Sequence, residues 1–195
     1  MVIKAPVRVV GPEHTMPDDL YSYQLEDSEK MASEGNWLNF NEMGTGKTPE
    51  TLWTSELNGY GCILIVCPNS LRLEWERQIS DWIGPEHVAV CTTDSYTKMD
   101  PIVKSFLKGQ RYKILNYEAL RNDLNLEMLA FINFDLIVFD EIHKTRNPDT
   151  KMARGLWKFL DGQKKAKIIG LSGSPIMNYP NDLYVPLSLV YHRRA

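Results

Sequence analysis

A glycine-rich segment followed by a lysine and a threonine is the first feature of this sequence that could do chemistry. Residues 41–48 read N-E-M-G-T-G-K-T, which fits the pattern G-x-x-x-x-G-K-[ST] except at its first position. Gly44 and Gly46 allow successive backbone N–H groups to turn inward around a phosphate. Lys47 would reach the β- and γ-phosphates of a nucleotide, and the Thr48 hydroxyl would bind Mg²⁺. We therefore predict a phosphate-binding loop rather than a surface turn with the same letters.

Two adjacent carboxylates at the end of an apolar run are the second such feature. The apolar run 136–139 leads directly into Asp140 and Glu141, and His143 follows two residues later. Carboxylates at the end of a buried strand are costly unless a cation or a reaction uses them. We expect Asp140 to hold Mg²⁺ through water, Glu141 to accept the proton of an attacking water, and His143 to sense the γ-phosphate. Alone, the pair could be a solvated turn; with a phosphate loop upstream it indicates a catalytic site.

Short apolar runs alternate with helical patterns, and this predicts a sheet that positions both motifs. The predicted strands are 37–40, 62–67, 88–91, 112–115, 136–139 and 167–171. Helices are predicted at 48–57, at 71–82 and, with Asp149 as its cap, in a segment that Gly162 ends. Strands that are apolar on both faces and separated by helices indicate an α/β fold, a mostly parallel sheet with helices on both faces. Ligands of such sheets bind beyond the carboxyl ends of the strands.

The composition is that of an ordinary globular domain. With 195 residues, 43% of them hydrophobic and 24% charged, a disordered, collagen-like or coiled-coil chain is excluded. The net charge of −3 means that nucleic acid would have to be bound by a local site. No apolar run approaches the ~18 residues of a membrane span. We therefore expect a soluble intracellular protein without a membrane partner, in the cytoplasm or nucleoid, or in the nucleus of a eukaryote.

Three motifs, in this order, resemble the first RecA-like lobe of superfamily-two helicases, and most of all the Swi/Snf-like DNA-dependent ATPases. They are the phosphate loop (Walker A), D-E-I-H at 140–143 (a DEAH-like box) and L-S-G-S-P-I-M-N at 171–178. Family members typically read D-E-M-G-L-G-K-T, D-E-A-H and L-T-G-T-P-x-x-N. Segments 20–24, 66–71 and 115–118 resemble further family motifs, so the resemblance covers about residues 18–195. The departures from the family pattern remove no group that would touch phosphate, metal or water: Asn41, Thr45, Ile142, Ser172 and Ser174.

The resemblance implies a RecA-like P-loop NTPase lobe, with ATP and Mg²⁺ as ligands and DNA, double-stranded in this group, as the partner. It implies that nucleotide is bound by Gln24 (the adenine contact), Met43, Gly44, Thr45, Gly46, Lys47 and Thr48. It implies that catalysis depends on Lys47, Asp140, Glu141 and His143, and that the metal is bound by Thr48 and Asp140. It also implies that Ser172, Gly173 and Ser174 couple nucleotide state to DNA contact.

Polar residues after three predicted strands are candidate contacts to a nucleic-acid backbone. They are Asn69 and Ser70, Asn116 and Tyr117, and Lys144 and Arg146. Asn69 and Ser70 could instead cap the helix that follows them. Lys144 and Arg146 could instead form a solvated face.

The domain organisation follows from the same resemblance. We predict an extended lead-in at 1–17, an ATP-binding lobe at 18–185, and at 186–195 the start of a connector to a second RecA-like lobe. In the family that second lobe carries arginine fingers, each worth about 10³-fold or more in phosphoryl transfer. We therefore expect a fragment or a motor whose second lobe lies on another polypeptide, and very slow ATP hydrolysis by this chain alone.

Two other functions stay open at this point. One is a nucleotide-gated docking module without turnover, although a pure binding switch has no need of a general base such as Glu141. The other is an RNA or restriction-type helicase lobe, which the nucleic acid that stimulates turnover would distinguish. A small-molecule kinase is disfavoured by the D-E-x-H and S-G-S-P segments.

Overall fold

The predicted alternation of strands and helices builds one parallel sheet. The computed structural model describes residues 16–91, 108–176 and 179–191. Its strands are β1 Trp37–Asn39, β2 Ile63–Cys67, β3 Val88–Val90, β4 Tyr112–Asn116, β5 Leu136–Asp140 and β6 Lys167–Leu171. Within these ranges the strand order is β1-β6-β5-β2-β4-β3, and every neighbouring pair is parallel. The predicted α/β fold is thereby confirmed, and each predicted strand end differs from the observed one by at most one residue.

Helices connect the strands and cover both faces of the sheet. In the part of the chain that the structure describes they are α1 Ser22–Glu34, α2 Lys47–Leu57, α3 Arg72–Trp82, α4 Asp123–Ala130, α5 Lys151–Gly162 and α6 Tyr184–Tyr191. A short 3-10 turn, Asn69–Leu71, precedes α3. The prediction that Asp149 caps α5 is wrong, because the Thr150 hydroxyl accepts the hydrogen bond from the Ala153 N–H at 3.1 Å. Thr150 lies in extended backbone one residue before the helix, the position from which a short oxygen reaches that donor.

The sheet separates two apolar cores, and alternate side chains of its strands point into one core or the other. In β2, Leu64 and Val66 point into the core covered by α4, α5 and α6, while Ile63 and Ile65 point into the core covered by α1, α2 and α3. All four side chains are at most 1% exposed. Strands buried on both faces must be apolar throughout, which is why β2 is a continuous apolar run.

Helix α6 belongs to the lobe. Its Leu189 and Val190 are completely buried in the core that α4 and α5 cover. Residues 186–191 therefore pack as part of the lobe, in place of the connector expected to start at residue 186. The lead-in expected at 1–17 lies mostly outside the described residues, as do residues 192–195. Across the described ranges, no helix has the length and apolar character needed to cross a membrane.

The register of the central strands brings the two sequence motifs to one edge of the sheet. Asn39 at the end of β1 is paired with Leu171 of β6, and Leu171 is paired with Asp140 at the end of β5. Neighbouring strands lie about 4.8 Å apart, so the ends of β1 and β5 are about 10 Å apart. The loop 41–46 and the acidic motif at 140–143 therefore leave the same edge of the sheet, separated by one strand.

Candidate active site

The loop between β1 and α2 is folded around the Lys47 side chain. Gly44 and Gly46 have φ angles of +78° and +90°, a region that residues with a β-carbon rarely adopt. The Lys47 ammonium donates hydrogen bonds to the carbonyl oxygens of Asn41 and Glu42, both at 2.8 Å. Lys47 is also the first residue of α2, where the helix carries partial positive charge. The loop thus concentrates positive potential and backbone N–H groups at one point, as an anion site requires.

Helix α1 supports this loop through Gln24. The Gln24 side chain is 5% exposed; its amide oxygen accepts from the Tyr21 N–H and its amide nitrogen donates to the Thr45 carbonyl, both at 2.9 Å. The Tyr23 hydroxyl donates to the same carbonyl at 2.8 Å. The described geometry therefore gives Gln24 a bracing role. Its adenine contact stays a prediction, one that requires its amide to exchange partners.

A buried carboxylate that the sequence did not reveal lies behind the loop. Glu50 of α2 is completely buried, and its Oε2 accepts a hydrogen bond from Asn39 Nδ2 at 2.6 Å. Asn39 Oδ1 in turn accepts from the Asn41 N–H at 3.0 Å, and Asn41 Nδ2 donates to Asp27 at 2.9 Å. Burial raises the pKa of Glu50 to about 7, against the opposing effect of the Asn39 hydrogen bond. The one signal that could have indicated this residue is its place beside Thr51 and Leu52 on the face of α2 that is buried.

Asp140 is held by donors from two other elements. Its Oδ2 accepts from the Trp75 indole N–H of α3 at 2.8 Å, and its Oδ1 accepts from the Glu141 N–H at 2.9 Å. Its backbone carbonyl accepts from the Tyr117 hydroxyl at 2.8 Å. Burial raises the pKa of Asp140, and the Trp75 hydrogen bond and the Lys47 charge act against that rise. No pattern in the sequence indicated that the Trp75 N–H would reach this carboxylate.

Glu141 combines an unusual backbone with an unpaired oxygen. Its φ is +52°, and among the described residues it is the only non-glycine residue with a positive φ. Its Oε2 is buried without a hydrogen-bond partner among those residues. His143 Nδ1 lies 3.1 Å from this oxygen, but outside hydrogen-bond geometry. Strained backbone and an unsatisfied buried carboxylate oxygen are features that folds retain at reacting sites.

The segment after β6 contacts both motifs. His143 Nδ1 is 2.9 Å from the Oγ of the fully buried Ser172, and the Ser174 N–H donates to that same Oγ at 3.2 Å. A β-carbon at Gly173 would lie 2.6 Å from Met43 Cγ and 3.3 Å from Met43 N. The absence of a side chain at Gly173 therefore lets this segment approach the phosphate loop. Of the three residues expected to couple nucleotide state to DNA contact, Ser172 contacts the acidic motif, Gly173 lies against the phosphate loop, and Ser174 contacts Ser172.

The candidate nucleic-acid contacts divide into exposed and buried groups. Asn69, Ser70 and Lys144 are exposed, and Arg146 is partly buried. Asn69 and Ser70 do not cap α3, whose N-cap is Leu71 without a side-chain hydrogen bond, so that alternative is wrong.

The side chains of Asn116 and Tyr117 are not available to nucleic acid, so these two predictions are wrong. Asn116 is 7% exposed, and its Oδ1 accepts from the Ala119 N–H at 3.1 Å to cap the turn after β4. Tyr117 is 2% exposed, and its hydroxyl is bound to Asp140. Their polar atoms serve local structure, which sequence position at a strand end does not distinguish from ligand binding.

Sequence comparison places the chain among known proteins. A family model for the SNF2-related domain matches residues 25–193. The chain is similar to the DNA repair and recombination protein RAD54B of Gallus gallus (32% identical over 159 residues, 76% of this chain and 16% of that protein). It is also similar to RAD54B of Homo sapiens (28% over 187 residues, 91% and 20%) and RDH54 of Saccharomyces cerevisiae (33% over 135 residues, 66% and 14%). The chain thus spans about a fifth or less of the length of these relatives.

Structural comparison agrees on the fold. The Sulfolobus solfataricus SWI2/SNF2 ATPase core in complex with dsDNA superposes with a TM-score of 0.69 at 22% identity, over 98% of this chain and 38% of that one. The Pyrococcus furiosus Hef helicase domain superposes with a TM-score of 0.72 at 21% identity, over 89% and 36%. Since the family model extends over most of its length, the chain belongs to the SNF2-related domain family and has the fold of the first RecA-like lobe of a Swi/Snf-type ATPase.

Proposed function

We propose that this chain is the ATP-binding half of a double-stranded-DNA translocase and that it hydrolyses ATP when a second RecA-like lobe completes the site. The observation that carries the proposal is the meeting of the phosphate loop, Asp140 and Glu141 at one edge of the sheet. Family membership and the relatives named as DNA repair and recombination proteins support the same function. DNA as the partner would place the protein in a nucleus or nucleoid.

The residues at this edge fit ATP and Mg²⁺. Gly44, Gly46 and the start of α2 offer backbone N–H groups to phosphates, and Lys47 has an ammonium that can leave the loop carbonyls for them. Thr48 and Asp140 provide a hydroxyl and a carboxylate, hard oxygen ligands of the kind that Mg²⁺ accepts alongside water and phosphate oxygens. Bound Mg²⁺·ATP would supply the reacting phosphoryl group and the cation that neutralises its developing charge.

Glu141 is the proposed general base. Its Oε2 lacks a hydrogen-bond partner in the described structure, so it has a free lone pair with which to accept a hydrogen bond from a water. The left-handed backbone at Glu141 and the Asp140 Oδ1 bond to its N–H fix where the side chain starts. Glu141 would take the proton of the attacking water while Asp140 would hold the cation beside it.

His143 and the segment 172–174 are proposed to pass nucleotide state to DNA contact. The His143–Ser172 contact at 2.9 Å joins the acidic motif to the segment after β6, and Gly173 lies against Met43 of the phosphate loop. A shift of either motif would therefore displace residues 172–174. The proposed DNA contacts are Asn69, Ser70, Lys144 and Arg146, whose few charges predict weak and salt-sensitive binding by this lobe alone.

The decisive experiment compares ATP turnover by the wild-type chain and by Glu141→Gln, each with a candidate second lobe and double-stranded DNA. We expect Glu141→Gln to lose about 10²-fold or more in turnover while ATP affinity is kept, because only the proton acceptor is removed. Glu127→Gln, an exposed glutamate on α4, is the matched control and should behave as wild type.

Other outcomes would favour other functions. Equal turnover by wild type and Glu141→Gln would favour a nucleotide-gated docking module. Stimulation by RNA instead of duplex DNA would favour an RNA helicase lobe. Fast DNA-stimulated turnover by the 195-residue chain alone would contradict the need for a second lobe.

A further inference from the structure

Asp140 accepts hydrogen bonds from two side chains, one on the helix that follows β2 and one in the turn that follows β4. Trp75 reaches its Oδ2 from α3, which follows the turn Asn69–Leu71 after β2. Tyr117 reaches its carbonyl oxygen from the first residue of the turn after β4. Both side chains are 2% exposed, so these bonds are shielded from water. Asp140 is therefore bound by both elements, at its carboxylate by Trp75 and at its backbone carbonyl by Tyr117.

The chemistry of the two donors fixes the direction of each bond. An indole N–H can only donate, so the Trp75 bond needs an acceptor, which is the carboxylate oxygen Oδ2 of Asp140. The backbone carbonyl oxygen of Asp140 can only accept a hydrogen bond, so the Tyr117 hydroxyl is the donor. The loss of either donor would leave a buried polar group of Asp140 without its partner.

The two turns are also joined to each other. Asn116 Nδ2 donates to Asn69 Oδ1 at 3.3 Å, and Asn116 is in register with Cys67 at the end of β2. Asn69 and Ser70 are exposed, whereas Asn116 is buried. A displacement of the exposed turn after β2 would thus reach both Trp75, through the start of α3, and Tyr117, through Asn116.

We propose that Trp75 and Tyr117 are positioning residues that transmit the occupancy of the turn Asn69–Leu71 by a nucleic-acid phosphate to the Asp140 carboxylate. The inference rests on the proposed function and adds a route by which DNA contact changes the hold on Mg²⁺·ATP. Coupling of this kind is reciprocal, so Mg²⁺·ATP must change the affinity for DNA by the same factor.

The first measurement is the affinity of a fluorescent ATP analogue in Mg²⁺ and in EDTA, for the wild-type chain, Trp75→Phe and Tyr117→Phe. In Trp75→Phe we expect the Mg²⁺-dependent gain in affinity to fall about tenfold, the effect of losing a hydrogen bond to the carboxylate. In Tyr117→Phe, which loses a bond to the neutral backbone carbonyl, we expect a fall of about threefold. Affinity in EDTA should be unchanged in both variants. Tyr117→Phe removes one oxygen and keeps the ring, so it remains informative if Trp75→Phe does not fold. The readout is metal linkage, which a purely structural role would not change.

The matched controls are Trp82→Phe at the far end of α3 and Tyr112→Phe in β4. The Tyr112 hydroxyl bonds Ser55 and Glu56, so its loss removes two hydrogen bonds that do not involve Asp140. Both controls should keep the wild-type Mg²⁺ dependence even if they unfold more readily. A second measurement, the affinity for a DNA duplex with and without the Mg²⁺·nucleotide, should show coupling in wild type and its loss in Trp75→Phe and Tyr117→Phe.

The inference is overturned if both variants keep the wild-type Mg²⁺ dependence and DNA coupling, or if the controls lose them equally. If Trp75 acts through the Asp140 carboxylate, the effects of Trp75→Phe and Asp140→Asn on the Mg²⁺ dependence should not add. A further loss of Mg²⁺ dependence when Trp75→Phe is made in an Asp140→Asn background would therefore also overturn the inference. A wild-type chain that binds no nucleotide would instead refute the proposed function, and this inference with it.

Discussion

Replacement of Glu50 by glutamine should raise the free energy of unfolding of the lobe, but only at pH values above about 4.5. Glu50 is completely buried behind the phosphate loop, and burial raises its pKa from 4.5 to about 7. In the Glu50→Gln variant the side-chain carbonyl can still accept from Asn39 Nδ2, so the link to the loop is kept. The ionisable group alone is removed.

The sign and size follow from proton linkage. Between pH 4.5 and about 7 the folded state holds the Glu50 proton more often than the unfolded state does, so the stability of wild type falls as the pH rises. At about 1.4 kcal/mol per pH unit, the total fall is about 3 kcal/mol, complete above pH 7. We therefore expect Glu50→Gln to match wild type near pH 4.5 and to exceed it by about 3 kcal/mol at pH 8.

The assay is urea unfolding of both proteins at a series of pH values from 4.5 to 8. Glu29→Gln removes the same charge from an exposed site on α1 and should shift stability by no more than about 0.5 kcal/mol at every pH. A difference between Glu50→Gln and wild type that stays constant across this range would refute the reasoning, because it would mean that Glu50 does not change its protonation on folding.

Two further substitutions test the site and the core. Gly173→Ala would place a β-carbon 2.6 Å from Met43 Cγ and 3.3 Å from Met43 N, so we expect weaker ATP binding by calorimetry with less than about 1 kcal/mol lost in stability. Gly162→Ala, where no atom lies within 4 Å of the new β-carbon, is its control, and equal ATP affinity in the two variants would contradict the expected contact. Gln163→Leu would leave the Phe134 N–H and the Leu129 and Ile132 carbonyls without their side-chain partner, which should cost about 2–4 kcal/mol in urea unfolding. Gln78→Leu on α3, which loses only a bond to Glu74, should cost under about 1 kcal/mol, and a similar loss in both would show that the buried network adds nothing.

The strands were predictable because their signal is local. A strand buried on both faces must be apolar along its whole length, and β2, β5 and β6 show this in consecutive residues. Helices α1, α4 and α6 were missed. In α1 only three of 13 residues are buried, Gln24, Ser28 and Met31, and two of these are polar. An apolar stripe of one methionine is too weak a pattern to predict a helix.

The sequence by itself determined the chemistry of the site and the order of its parts. Gly44, Gly46, Lys47 and the pair Asp140–Glu141 are each recognisable because a phosphate loop and an acidic strand end need particular residue types at fixed local spacing. Only the tertiary structure decided which distant side chains hold these groups. The Trp75 bond to Asp140 joins residues 65 positions apart, and the burial of Tyr117 turned an expected DNA contact into a support. Such partners are set by strand order and helix packing, which depend on the whole chain, so no short stretch of sequence carries a signal for them.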